Sequence, residues 1–181
     1  MLMTTEELRR IVDTEETDDM LAMRMKAVEL FIRGYTHSNF TVHGTGRIAD
    51  IVGGVFTTEE PHPYEIGDTV QVIRSDKNGG LYTVNASSDN SFMVNEKTRD
   101  EIDAYVMLVE YPEDVKLGAA QLLKYDMENR NNVNVQSESI SRHSVTYKTM
   151  DESNSDGGYP LELLGFLRRH MRARFGQGLR T

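Results

Sequence analysis

Cysteine is absent from the chain, which excludes disulfides, thiolate metal sites and cysteine nucleophiles and leaves the redox compartment undetermined. No stretch approaches the ~18 consecutive apolar residues of a membrane-crossing helix. The start, Met1-Leu2-Met3-Thr4-Thr5-Glu6-Glu7, lacks the basic residues and apolar run of an export signal. The expectation is a chain neither exported nor inserted into a membrane. Blocks of like charge long enough to form a disordered tail are missing too. Positive charge is scarce: 20 Lys and Arg stand against 29 Asp and Glu, a formal net charge of −9. An acidic body repels phosphate backbones, so general nucleic-acid binding is disfavoured.

What is present reads as soluble and folded, with 38% hydrophobic and 27% charged residues over 181 positions, a length that suits one domain, or one domain carrying a sizeable insertion, around one main core. The charge is unevenly spread. Residues 159–181 hold five arginines (Arg168, Arg169, Arg172, Arg174 and Arg180) against Glu162, a net +4 that leaves −13 for the rest. Such a basic end suits an acidic protein partner.

Two helices are predicted at the start. Thr4 with Glu7 has the spacing of a capping box, and Thr17 followed by Asp18 and Asp19 reads as an N-cap with acids at the positive end of the helix dipole. In the second helix Leu21, Met25, Val28, Ile32 and Tyr35 recur at helical spacing, and Met20, Met23, Ala27 and Phe31 widen the apolar surface before Gly34. A stripe that wide contacts more than one neighbour, either as a central core helix or as a Met-rich protein-binding groove. From Phe40 to Tyr111 short apolar runs broken by glycine take over: Phe40-Val42, Ile51-Val52, Val55-Phe56, Val70-Val72, Leu81-Val84, Phe92-Val94 and Tyr105-Val109. These predict strands. Ile66 to Ile73, a turn at Ser75 to Gly80, and Leu81 to Val84 read as strand, turn, strand, and the segment as a small SH3-like or otherwise barrelled module.

Helical character returns at Pro112-Glu113-Asp114, where proline suits the first helical position. Val115, Ala119, Leu122 and Leu123 face a core, and Gly118 either permits close packing or is an ordinary tolerated glycine. Asn131-Asn132 ends that helix. Val133-Val135, Ile140, Val145 and Tyr147 suggest an extended or hairpin-like segment, and Asp151 to Gly158 a solvated loop. Tyr159-Pro160 is expected to open a final helix with Leu161, Leu164, Leu167 and Met171 on one side.

Three pieces in this order resemble the head-tail connector (adaptor) proteins of tailed bacteriophages. The first is the acidic opening Asp13-Thr14-Glu15-Glu16-Thr17-Asp18-Asp19-Met20-Leu21 leading into Ala27-Val28-Glu29-Leu30-Phe31-Ile32-Arg33-Gly34-Tyr35. The second is the helix Pro112 to Tyr125 with Glu128-Asn129-Arg130. The third is Ser137 to Tyr147 followed by the final helix. The resemblance covers roughly residues 4–36 and 111–175. It implies a small helical bundle whose copies form a ring, commonly of twelve, below the portal protein at the capsid vertex. It implies no catalysis and no cofactor. The implied partners are the portal protein, further copies of the chain, and the next head-completion (stopper) or tail protein. DNA would pass through the channel without sequence-specific binding, and no membrane is involved. The implied location is the head-tail interface of the virion, reached from the host cytoplasm during assembly. The departure is the segment Phe40–Val109, which shorter connectors lack. The fold expected is therefore α+β: a helical connector domain over 1–39 and 110–181, split by a β-rich insertion over 40–109.

Catalytic and metal sites are not expected. His43-Gly44-Thr45-Gly46-Arg47 has phosphate-loop glycines but no Gly-Lys-Ser/Thr ending, and His37, His43 and His62 lack the paired spacing of a helical zinc site. No serine elbow or zincin motif sets an activated group beside its base. The alternative from another class is an RNA- or protein-binding module. Gly67-Asp68-Thr69-Val70-Gln71-Val72 resembles the start of small RNA-binding β modules, although Arg74 and Lys77 there face Glu65, Asp68 and Asp76. Arg168, Arg169, Met171, Arg172, Arg174 and Phe175 are the candidates for portal binding: Met171 and Phe175 lie four apart, so an apolar strip bordered by guanidinium forks would fit a groove on an acidic partner. The bland reading is a solvated basic helix end. Met20, Met23 and Leu30 are the candidates for packing between subunits.

Overall fold

Thr4 begins the first helix as its spacing predicts. In the computed structural model, which describes residues 2–129, 137–140, 143–146 and 155–173, the Thr4 hydroxyl accepts the Glu7 N–H at 3.1 Å and the Glu7 carboxylate accepts the Thr4 N–H at 2.8 Å. That bond from the Thr4 backbone holds the Glu7 carboxyl below its ordinary range. The helix it opens, α1 (Thr5–Ile11), buries Leu8. Arg9 then gathers the link to the next helix, donating to the carbonyls of Thr14 and Glu16 and to Asp18 Oδ1.

The second helix, α2 (Asp18–Thr36), has Thr17 at its N-cap and buries Leu21, Met25, Val28, Glu29, Ile32 and Thr36. It runs through Gly34 and stops where His37 turns left-handed at φ 51°. Helix α3 (Glu113–Asn129) buries Val115, Ala119, Ala120, Leu122 and Leu123. The Pro112 carbonyl accepts from the Val115 and Lys116 N–H groups, so proline stands just ahead of the first helical residue. A Cβ on Gly118 would overlap the Phe166 ring, which settles its role as a close-packing glycine. Asn131-Asn132, Val133, Val135 and Tyr147 lie outside the described residues. Between them β7 (Ser137–Ile140) and β8 (His143–Thr146) form the predicted hairpin.

The final helix differs from expectation. Tyr159-Pro160 does not open an α-helix; it forms β10 (Tyr159–Pro160), paired with β9 (Ser155–Asp156) across Gly157-Gly158. Gly157 has φ 57°, and a Cβ there would overlap the Phe31 ring. After a turn at residues 161–164, Gly165–His170 is a 3-10 helix and Met171 is extended at φ −66°, ψ 132°. Leu161, Leu164 and Leu167 are strictly three apart. Leu161 and Leu164 lie in the turn ahead of the 3-10 helix, which holds Leu167; the N–H groups of Leu164 and Leu167 each donate three residues back, to the carbonyls of Leu161 and Leu164, and Leu164 and Leu167 are buried.

The chain divides into two compact units: Asn39–Tyr111, and Leu2–Ser38 with the chain from Pro112 onward. The first is a closed antiparallel barrel of six strands: β1 (Arg47–Val52), β2 (Val55–Thr58), β3 (Thr69–Arg74), β4 (Gly80–Ser87), β5 (Ser91–Val94) and β6 (Glu101–Val109), in the order β1-β2-β5-β4-β3-β6. The fold is thus α+β with a barrel module. Gly53 and Gly54, at φ 58° and 86°, make the two-residue turn from β1 to β2. Alternate residues point inward, among them Ile51, Phe56, Val70, Val72, Val84, Phe92 and Val106. The Phe56 and Phe92 rings stack at 4.6 Å. Tyr64 is buried with its hydroxyl 2.8 and 2.9 Å from the carbonyl oxygens of Thr45 and Val106, and burial pushes its phenol well above the ordinary value. The two ends of this unit are joined. Val42 N–H donates to the Leu108 carbonyl, Glu110 N–H donates to the Phe40 carbonyl, Thr41 bridges to Val109, and the Phe40 and Tyr111 rings lie 4.9 Å apart.

Candidate functional site

Helix α2 carries apolar residues on two opposite sides. Leu21, Met25, Val28 and Ile32 are buried in the core. Met20, Met23, Ala27, Leu30 and Gly34 repeat at steps of three, four, three and four, and at about 100° per residue they fall on the other side of the helix. All five are exposed, Met23 by 66% and Leu30 by 58%. The three residues expected to pack between subunits are therefore aligned in one surface stripe. The 3-4 spacing that unites them with Ala27 and Gly34 is written in the sequence but is hidden there by the core stripe running alongside it.

The stripe continues into an open groove of about 540 Å³ lined by Leu30, Phe31, Gly34, Tyr35, His37, Asp156 and Met171. Phe31 is fixed by its neighbours, with ring centroids 5.8 Å from Tyr35 and 5.0 Å from Tyr159. Met171, half exposed, arrives because Arg172 N–H donates to the Thr36 carbonyl at 2.8 Å and ties residues 171–173 to the end of α2. Leu30 and Met171, drawn from the two candidate sets, thus share one groove. Arg169 is held elsewhere in this unit. Its Nε lies 2.9 Å and its Nη2 2.5 Å from Asp114 Oδ2, which the His170 Nε2 also meets at 2.8 Å. Partial burial raises the Asp114 carboxyl, but the bonds from His170 and Arg169 outweigh it and hold the group below its usual range. Arg168 and Arg172 are exposed. Arg174 and Phe175 lie outside the described residues.

The barrel has two surfaces of its own. One is an acidic groove of about 420 Å³ lined by Asp50, Glu59, Glu60 and Asp103 together with Ile48, Thr57 and Tyr105. Arg47 also lines it, but its guanidinium is taken up by the carbonyls of Gly44, Gly46 and Pro61. The loop His43 to Arg47 thus turns carbonyls toward an arginine, the reverse of a phosphate cradle, in which N–H groups converge. Arg74 lies over the Tyr105 ring at 5.8 Å and Lys77 donates to the Asp100 carbonyl at 2.9 Å. Both bases near the strand-turn-strand motif therefore have partners within the barrel. The other surface is a row across four strands, Val52, Val55, Met93 and Ala86, adjacent through the pairings Val52 to Val55, Val55 to Met93 and Met93 to Ala86. Val52 is 63% and Met93 42% exposed. Only the strand register assembles this row, and sequence spacing carries no trace of it.

Among the described residues no group of three or more His, Cys, Asp or Glu side chains is placed to hold a metal ion, and no helix is long and apolar enough to cross a membrane. Comparison with protein-family models and with curated proteins finds no match to the chain.

Proposed function

We propose that the chain is a non-catalytic structural subunit of a tailed-bacteriophage head-tail connector, whose copies form a ring between the portal protein and the next head-completion or tail protein. The observation that carries this reading is α2, a helix whose second apolar side, Met20, Met23, Ala27 and Leu30, is surface. A contiguous apolar stripe on the surface side of a helix marks an interaction site. In a ring the partner at that site is the neighbouring subunit, and repetition lets modest contacts add up because many equivalent sites engage at once. The helical unit is then a bundle of connector type and the barrel an SH3-like module carried within it.

The portal contact falls to Arg168, Met171, Arg172, Arg174 and Phe175. Arg169 contributes indirectly by pinning the segment to Asp114. The net charge of −9 suits a channel that lets DNA pass without sticking. The test is to mix the full chain with portal rings from the same genome and measure mass and stoichiometry, alongside a version truncated after Gly158. Many copies per ring, lost on truncation, are expected. An intact chain that leaves the portal rings bare would sink the reading.

The barrel row Val52, Val55, Met93 and Ala86 supports a second reading, a protein-binding module. RNA binding has less behind it, because Arg74 and Lys77 are engaged within the barrel and RNA recognition needs clustered positive charge. Salt-sensitive retention of RNA by the full chain in a filter-binding assay would reverse that preference.

A further inference from the structure

The outer stripe of α2 is matched to itself. Laid antiparallel against a second copy and centred between Arg24 and Lys26, Met20 faces Leu30 of the other helix and Met23 faces its Ala27, each contact occurring twice by symmetry. Every layer then holds a methionine, an adaptable gap-filler, against an aliphatic residue. The 3-4 spacing keeps all four layers on the seam. At both ends Asp19 comes beside Arg33 of the other copy, an attractive pair at the rim, and antiparallel helices set opposite dipole ends together. On one flank of the two-fold axis the two Arg24 side chains are each paired with Glu16 of their own chain; on the other the two Lys26 side chains repel, and their long stems let the charges reach solvent.

We infer that the free chain forms an antiparallel two-fold dimer through the Met20, Met23, Ala27 and Leu30 side of α2. Such an interface is isologous: it consumes the same patch on both partners and closes at two. It therefore cannot propagate into a ring, and ring formation has to open it. The pairing itself stands on α2 alone. Its role, keeping the stripe covered and unassembled until the portal supplies a template, rests on the connector reading. A single helix pair lies at or below the ~1,200 Å² of the smallest stable interfaces, so the dimer is expected to dissociate in the micromolar range.

The test is sedimentation of the full chain across the micromolar range without portal. A reversible monomer-dimer equilibrium is expected. Met23→Glu, which sets a charge in the seam at a solvent-exposed position, should weaken it about tenfold or more, with circular dichroism checking that the helices persist. Lys26→Gln should strengthen it several-fold by removing the repulsive pair. Because the chain has no cysteine, cross-linking reads orientation directly. Met20→Cys with Leu30→Cys should give a disulfide-linked dimer on oxidation. Met20→Cys alone should not, since the two copies of that position lie ten residues, about 15 Å, apart along the seam. A chain that stays monomeric, a dimer indifferent to Met23→Glu, or a self-linking Met20→Cys variant would each overturn the inference. Portal binding is measured separately: an intact dimer that ignores the portal sinks the connector, whereas a monomer that binds the portal sinks only the dimer.

Discussion

Glu101 shows how much a single side chain organises in the barrel. Its carboxylate accepts from Ser75 Oγ at 2.6 Å, from the Asp76 N–H at 2.7 Å and from Asn78 Nδ2 at 2.7 Å, closing the β3-β4 turn onto β6. The bond from Ser75 leads the effects that hold its pKa down at about 2. A carboxyl lowered on folding contributes stability that is fully present above the unfolded value of ~4.3 and is lost as pH falls through the folded one. Barrel stability is therefore expected to decline between about pH 4.5 and 2. Glu101→Gln should flatten that decline while lowering stability at neutral pH. Thermal unfolding followed by tyrosine near-ultraviolet circular dichroism across that range checks both. None of this was legible in the sequence, because the donors lie 23 to 26 residues from Glu101 and no local motif joins them. The Thr4-Glu7 capping box was legible for the opposite reason: both partners sit within one helical turn.

At the scale of elements, helices announce themselves by period and betray their neighbours less readily. The 3.6-residue period of α2 locates its core side, whereas Met20, Met23 and Ala27, which the sequence suggests as a widening of that side, stand exposed with Leu30 on the opposite one. Two glycines on the helices have opposite roles. At Gly34 nothing lies within 4 Å of a Cβ, so Gly34→Ala should stabilise the helix by about 0.5–1 kcal/mol in urea unfolding. At Gly118 a Cβ meets the Phe166 ring, so Gly118→Ala should destabilise by about 1–3 kcal/mol, with Phe166→Leu as the second change that relieves the clash. The closing segment shows where pattern reading went astray. Leu161, Leu164, Leu167 and Met171 have the spacing of one α-helical face, yet Leu161 and Leu164 fall in a turn, Leu167 lies in the 3-10 helix Gly165–His170, and Met171 is extended.

For the whole molecule, the alternating runs located strands, since Ile51-Val52, Val55-Phe56, Val70-Val72, Leu81-Val84, Phe92-Val94 and Tyr105-Val109 all lie in them. Their order, β1-β2-β5-β4-β3-β6, was not readable, because closure depends on pairings between residues far apart in the chain, such as Arg47 with Val106. The barrel core is self-contained and its ends are joined, so a fragment spanning Asn39–Tyr111 is expected to fold alone and give a dispersed amide spectrum. A collapsed spectrum would mean that it depends on the rest of the chain.

The joined ends also bear on how the protein answers force. Tension applied through Asn39 and Tyr111 acts at one end of the antiparallel pair formed by residues 40–42 and 108–110. Loaded that way, the ladder peels one hydrogen bond at a time and does not share the load among all of them. The barrel is then expected to open from its root, as a zip fastener does, and single-molecule pulling through Asn39 and Tyr111 checks it by a low unfolding force.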